Sequence, residues 1–444
     1  MASAGFAKVA ISPPIGAPLA GFAAREGVCQ GIHDDLYARA LVIECDGNAV
    51  VLVCLDVLAL QSDFVNNVRE RIQTRTGIRR DAIVIASTHT HAGPVTVKTF
   101  FNPEDSLDQD LMGHIARAIV TSVDAAWSSR QPAKIGVGSG RVAGIGVNRR
   151  TPDKKPVDEE VGVIKVEDLS GQTKAVLVNY SCHPTVLGSD NLLATGDFPY
   201  FAVDGIEKHL GSDGFAMFVN GTQGNISMGH SSELSAIGVI TPGRTFEHAE
   251  ELGSKLAAAT ITALDKIVTN DSPRIDAMIS DVRFPIKELP DVKTAGQRLI
   301  EADRELDALS GNGASAESVM KAKSSRLYAS ITDFYAREMA VFSDGGLPVE
   351  LQAVRVDDAV FFAVPAEVFV EIGLEIKSRA KHKTFIIGIA NGYIGYLPTS
   401  AAYAENGYEV VSSKVGPRSE ALLYEEATKL EQKLFALEEE TQKA

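Results

Sequence analysis

Short apolar runs rich in β-branched residues alternate along the chain with stretches of helical periodicity, and the two patterns together predict a mixed α/β fold. Gly5–Ile11, Tyr37–Cys45, Ala49–Leu55 and Ala82–Ala86 read as strands, with Asp46-Gly47-Asn48 as a hairpin signal between the second and third. Gly162–Val166, Ala175–Tyr180, Phe215–Asn220, Ala277–Phe284, Val349–Val356, Ala359–Val364 and Phe385–Ala390 continue the series. Helices are predicted over Ser62–Gly77, Asp108–Ser128 and Thr245–Val268, with another opened by Gly196-Asp197-Phe198-Pro199 and closed near Gly211. Pro365-Ala366-Glu367 predicts a further helix start, with Glu367 in its first turn.

Two later stretches carry their own stripes. Leu299, Ala302, Leu306 and Leu309 share one helical face, and Leu327, Ile331 and Phe334 share another, with Ser310-Gly311-Asn312-Gly313 between them. An α-hairpin inserted at about 286–342 is the simple reading. In the charged terminal helix, about 417–444, Leu423, Ala427, Leu430, Leu434 and Leu437 repeat at alternating four and three. That seam packs either on its own domain or, in a homo-oligomer, against a second copy. Neither repeats nor a low-complexity linker divides the chain, so the expected organisation is one domain over 1–444. Its class is α/β: mixed β-sheets flanked by helices, the active site at strand ends, and a helical-hairpin insertion.

Composition narrows the partners. A formal charge of −15 argues against nucleic acid and against stable association with anionic membranes. Cys29, Cys45, Cys54 and Cys182 form no C-x-x-C pair, which points to neither a zinc ribbon nor a disulfide framework and fits a reducing, cytoplasmic home. No apolar run is long enough to span a bilayer, and the start lacks the pattern of a secretion signal.

The chemistry gathers at strand ends. The apolar run before His89-Thr90-His91 stops at Ala92-Gly93-Pro94, and strand alternation would aim His89 and His91 to one side. Two imidazoles at the mouth of a buried strand suit a divalent metal, zinc first, whereas the alternative is a pair of surface histidines. His183 likewise follows a strand, in Ser181-Cys182-His183-Pro184. Glu367 would be held ionised by helix N–H groups and so could serve as a ligand, or could merely compensate the helix dipole at the surface. His114, His209, His230, His248 and His382 lack converging partners and read as surface or scaffold.

The order of motifs adds a resemblance. G-I-H-x-x-L-x-A-R-A at 31–40, T-H-T-H-x-G-P at 88–94, Asn148-Arg149, the lone His183, Gly196-Asp197, G-x-x-S at 224–227, P-x-E at 365–367 and N-x-Y-x-x-Y at 391–396 occur in sequence. In this order the chain resembles the N-terminal catalytic domain of the neutral ceramidases, a zinc amidase family, over nearly its whole length. The resemblance implies His89, His183, Glu367 and Tyr396 as ligands of Zn2+. It also implies His91, Arg149 and Tyr408 as pocket residues, and Ser227 in the place of the family's active-site serine. That serine lies in G-D-V-S-P in the family and in Gly224-Asn225-Ile226-Ser227-Met228 here.

The expected activity is hydrolysis of a linear carboxamide (N-acyl) bond by metal-activated water, with His91 and Tyr408 donating to the developing oxyanion or leaving nitrogen and Arg149 orienting the substrate. An esterase or a lactone or cyclic-amide hydrolase using the same zinc, a true ceramidase, and a non-catalytic family member are the alternatives. An amidohydrolase barrel is disfavoured because several strands precede the H-x-H motif. The expected partner is a small soluble amide. Only 48 residues follow Tyr396, too few for the family's further C-terminal domain, and the negative charge is repelled by anionic lipid.

Overall fold

Strands made of continuous apolar residues have both faces buried, as Ile83–Ser87 does in one sheet and Ala359–Val364 in a second. A computed structural model describes residues 1–101, 107–151, 156–311, 313–342 and 346–441, with side chains through 436. The larger sheet has eight strands in the order Phe215–Asn220, Thr173–Tyr180, Glu160–Asp168, Gln131–Arg141, Ser3–Ala10, Tyr37–Cys45, Asn48–Leu55, Ile83–Ser87. The smaller has four, Ile275–Pro285, Gly346–Val356, Ala359–Val364 and Lys383–Gly388. Most neighbours are antiparallel. Within these two sheets three pairs are parallel: Asn48–Leu55 with Ile83–Ser87, Thr173–Tyr180 with Phe215–Asn220, and Ala359–Val364 with Lys383–Gly388. The strands of each such pair end side by side, and His89, His183 and Glu367 lie just past those ends.

Apolar burial fixes how the layers stack. One cluster joins helices Ser62–Thr76 and Gln109–Ser128 to the larger sheet and to Phe361, Phe385 and Ile387 of the smaller one. The rings of Phe361 and Phe385 stack at 5.1 Å, and each such buried side chain contributes roughly 1.5–3 kcal/mol. Gly162 makes this approach feasible, because a Cβ there would lie 2.5 Å from the Phe385 ring. Helices Phe198–Leu210 and Phe246–Leu264 cover Val161, Val176 and Phe218 on the larger sheet. Asp197 caps the first of them, accepting from the N–H of Phe198 at 2.7 Å.

The terminal helix, Ser419–Thr441, lays Leu423, Ala427, Leu430 and Leu434 against Val349, Leu351 and Phe362 of the smaller sheet. Its predicted seam thus faces the chain's own sheet; Leu437 lies outside the residues whose side chains are described. The α-hairpin is formed by Val292–Gly311 and Ala316–Met339, and Asn312 of its loop lies outside the described residues. Only the second helix buries its stripe well, through Leu327, Ile331 and Tyr335. The Asp46-Gly47 turn has φ of 52° and 84°, the left-handed pair that a tight two-residue hairpin requires.

One local expectation fails. Glu367 does not open a helix, because the helix starts at Val370. Glu367–Val368 is instead a two-residue strand, parallel to Tyr396–Leu397 with Glu367 opposite Tyr396. The N–H groups of Glu367 and Phe369 donate to the carbonyls of Gly395 and Leu397 at 3.0 and 3.1 Å. This tertiary pairing overrides the helix-start preference of Pro365. The helix receives its first cap from elsewhere, with Asn225 Oδ1 accepting from the N–H of Val370 at 2.9 Å.

Candidate metal centre

The strand Ile83–Ser87 stops before its histidines, so the pleat does not set their direction. His89 instead adopts φ of 70°, a left-handed conformation that costs a non-glycine residue about 1–2 kcal/mol. It is held there by its N–H to the Val57 carbonyl at 3.0 Å and by Nδ1 to the Leu58 carbonyl at 2.8 Å. The turn brings the His89 and His91 rings edge to face at 4.8 Å. His183, just beyond Thr173–Tyr180, bonds through Nδ1 to the Gln223 carbonyl at 2.7 Å, and its ring lies 5.0 Å from that of His89. His89, His91 and His183 each offer one nitrogen within 4.8 Å of the others.

A carbonyl can only accept, so Nδ1 carries a proton on both His89 and His183, and Nε2 is the nitrogen turned toward the site. Both Nε2 atoms face the same oxygen: Glu367 Oε2 lies 2.8 Å from His183 and 3.4 Å from His89. Burial, reinforced by Arg149, holds the His183 imidazole down to about 4, so it is neutral at pH 7. Burial and the neighbouring His89 hold His91 well below its usual range too. Burial opposes ionisation of Glu367, but the His89 and His183 rings outweigh it and keep the carboxyl well below its usual range. Two imidazole nitrogens, that of His183 neutral, and a carboxylate oxygen meet here, and a cation among them would relieve the repulsion. That is the donor set and protonation state a divalent metal takes. His91 adds a second sign: both its ring nitrogens are buried with no hydrogen-bond partner.

The remaining expected residues complete one wall. Tyr393 donates to Glu367 Oε1 at 2.6 Å and fixes the carboxylate from behind. Tyr396, placed opposite Glu367 by the short strand pair, accepts from Arg149 Nη2 at 3.0 Å. Arg149 also reaches the Gly224 carbonyl and Glu409, each at 2.8 Å. Its neighbour Arg150 bonds Glu409, Glu405 and Asn406 instead. Tyr408 stands 6.1 Å from the Tyr396 ring.

Ser227 follows Ile226, whose carbonyl lies 3.1 Å from His183 Nδ1. It is buried in a two-residue strand, and its hydroxyl donates to the His230 carbonyl at 3.4 Å. Reading the sequence misses Tyr393, Glu409 and His230. Tyr393 carries a usable signal, as the first tyrosine of N-x-Y-x-x-Y. No spacing marks Glu409 or places His230 on the wall described next.

Two cavities meet at His91, Tyr396 and Tyr408. One runs past Phe100, Phe101 and Phe334, and the other past Arg244, His230 and Ser232. A third cavity of about 400 Å³ continues from Phe100 and Phe101 under the α-hairpin, along Leu306 and Leu327. Among the described residues, no helix is long and apolar enough to cross a membrane.

Residues 4–233 match the family model for the neutral/alkaline non-lysosomal ceramidase N-terminal domain. Neutral ceramidase B of Dictyostelium discoideum is 22% identical, the match covering 94% of this chain and 70% of that protein. Neutral ceramidase of Pseudomonas aeruginosa is 22% identical over 90% of this chain and 67% of its own length. The crystal structure of neutral ceramidase from Pseudomonas aeruginosa superimposes with a TM-score of 0.75, covering 99% of this chain and 75% of that one at 20% identity. Glu367, Tyr396 and Tyr408 fall beyond the family-model match but within a fold that superimposes nearly end to end. With more than half of its residues inside that match, this chain belongs to the neutral/alkaline non-lysosomal ceramidase family.

Proposed function

We propose that this protein is a zinc-dependent hydrolase of linear N-acyl amides, with His89, His183, Glu367 and Tyr396 as ligands. The observation that carries the reading is the meeting of two Nε2 atoms on one carboxylate oxygen, with each ring's Nδ1 proton committed to a backbone carbonyl. An all N/O donor set of imidazoles, a carboxylate and a phenol suits zinc. Bound there, the ion would supply Lewis-acid polarisation and a water of lowered pKa.

The chain's own groups do the rest. His91, neutral and with both ring nitrogens unengaged, can hold or deliver a proton beside the scissile bond. Tyr408, shared by the two cavities, donates to the carbonyl oxygen as negative charge develops on it. Arg149 works as a positioning residue: its contacts to Glu409, Gly224 and Tyr396 fix the phenol that faces Glu367. Tyr393 does the same for the carboxylate. Ser227 acts at most through the loop it holds.

The relatives' names speak of ceramide, a lipid amide. For this chain we favour a soluble amide handled in the cytoplasm, on the strength of its −15 charge. The test is a screen of N-acyl amides and matched esters of graded chain length, with zinc supplied. The reading predicts amide turnover with little gain in kcat/KM beyond a short acyl group. A steady rise out to long-chain N-acyl sphingosines would restore the lipid substrate, and ester-only turnover would move the protein to the esterase alternative.

A further inference from the structure

Phe22 stands beside His91, ring centroids 5.0 Å apart, and two guanidinium groups lie against it. Arg25 Cζ is 5.1 Å and Arg244 Cζ 5.3 Å from the ring centroid. Arg25 donates to the carbonyls of Leu19, Ala20, His91 and Asn191. Arg244 donates to the carbonyls of Thr185, Val186 and Leu187 and to Ser235 Oγ. All these partners are neutral. Asp190, which is exposed, acts on both arginines only through its longer-range field, and Asp197 acts on Arg244 in the same way. On the same wall Arg149 shares Glu409 with Arg150, which also pairs with Glu405.

A chain of charge −15 therefore places Arg244, whose hydrogen-bond partners are all neutral, beside its candidate active site. Burying charge without a counter-ion is costly, and burial indeed lowers Arg25 to about 10. The cavity that Arg149 and Arg244 border is rich in polar groups, with His230, Ser231, Ser232 and Ser235 on its wall. The cavity on the other side of His91 is lined by Phe100, Phe101 and Phe334, with Lys98 and Lys414 also on its wall, Lys414 paired with Glu338 at 2.9 Å. The two sides thus differ in what they can hold. An apolar acyl group suits the aromatic side, and an anion suits the arginine side.

Resting on the amide-hydrolase reading, we propose that the Arg244 cavity binds a carboxylate on the amine half of the substrate, which makes the substrate class N-acyl amino acids. The reaction then consumes one N-acyl amino acid and one water, and releases the acyl group as a free carboxylate together with the amino acid as its zwitterion. One C–N bond breaks and one C–O bond forms. Both protons of the water pass to the leaving nitrogen, which ends as an ammonium group, and nothing is oxidised or reduced. The substrate's own carboxylate takes no part in the chemistry. It anchors the leaving amine against Arg244 so that the acyl carbon falls at the wall shared by His91, Tyr396 and Tyr408.

The test compares N-butanoylglycine with its neutral isostere N-butanoylglycinamide, following butanoate release by the purified zinc-loaded protein and binding of each compound by calorimetry. A charge-assisted contact predicts a preference for the carboxylate of about tenfold to a hundredfold in kcat/KM, mostly through KM. Arg244→Gln should erase the preference but also strips three backbone carbonyls of their donor. Ser235→Asp avoids that by adding a carboxylate next to Arg244 Nη1, and should cut the preference by at least about tenfold. Equal turnover of the two compounds would overturn the subsite and leave amide hydrolysis standing. No turnover of either, with calorimetry still favouring the carboxylate, would keep the subsite and overturn the hydrolase reading. No preference in either measurement overturns the subsite.

Discussion

The two sheets supply different halves of the centre, and they hold them by different means. From the larger sheet come His89 and His183, each clamped by a backbone carbonyl on Nδ1. These contacts are local to the strand ends and set tautomer and aim together. From the smaller sheet come Glu367 and Tyr396, aligned by a two-residue parallel pairing and steadied by the side chains of Tyr393 and Arg149. The histidine half is clamped by main-chain carbonyls alone, and the carboxylate–tyrosine half needs side chains in addition to its main-chain pairing. The second half should therefore be the easier to loosen by single substitutions without unfolding the protein.

The largest effect is expected where the two halves share a buried ion network. Glu409 is 3% exposed and is the carboxylate common to Arg149 and Arg150. Glu409→Ala leaves two buried guanidinium groups short of a partner and should cost about 3–5 kcal/mol of stability. Chemical denaturation reads this directly, and a loss below about 1 kcal/mol would show that the network is solvated and not structural.

Next comes the seam between the halves. Gly224, on the glycine-rich loop of the larger sheet, donates its N–H to the Val368 carbonyl at 2.8 Å. A Cβ there would lie 2.5 Å from the Glu367 carbonyl oxygen. Gly224→Ala should displace Glu367–Val368 at a cost of roughly 1–3 kcal/mol, with metal affinity falling alongside. Unchanged stability together with unchanged affinity would mean the short strand pair is not what places Glu367.

A smaller, more selective break is Tyr393→Phe. It removes one hydrogen bond to Glu367 Oε1 and no apolar volume. Loss of such a support weakens metal affinity by about 10–100-fold, with a melting temperature of the metal-free protein close to wild type. If competition with a chelator shows the same affinity as wild type, the carboxylate needs no support from behind.

The same division explains what is legible in the sequence. Strand runs such as Tyr37–Cys45, Phe215–Asn220 and Ala359–Val364 are read from composition alone, because burial on both faces demands continuous apolar residues. The histidines are visible as polar residues directly after such runs. Their convergence has a different cause from the expected one, since a left-handed turn at His89 does what strand alternation would have done. Glu367 is misread because Pro-Ala-Glu is a sound local helix start. Its real conformation depends on Tyr396–Leu397, which no local window contains. Arg25 and Arg244 are silent for the same reason: nothing in their neighbours' identities shows that their partners are all neutral.

The central claim is that His183 and Glu367 are built around a cation and not merely around each other. Elemental analysis of the purified protein tests it most directly, comparing wild type with His183→Ala and Glu367→Ala and using circular dichroism to confirm that all three are folded. The account predicts one zinc per chain in the wild type and its loss from both variants. Wild-type protein prepared without chelators that carries no metal, or zinc retained in full by both folded variants, would contradict it.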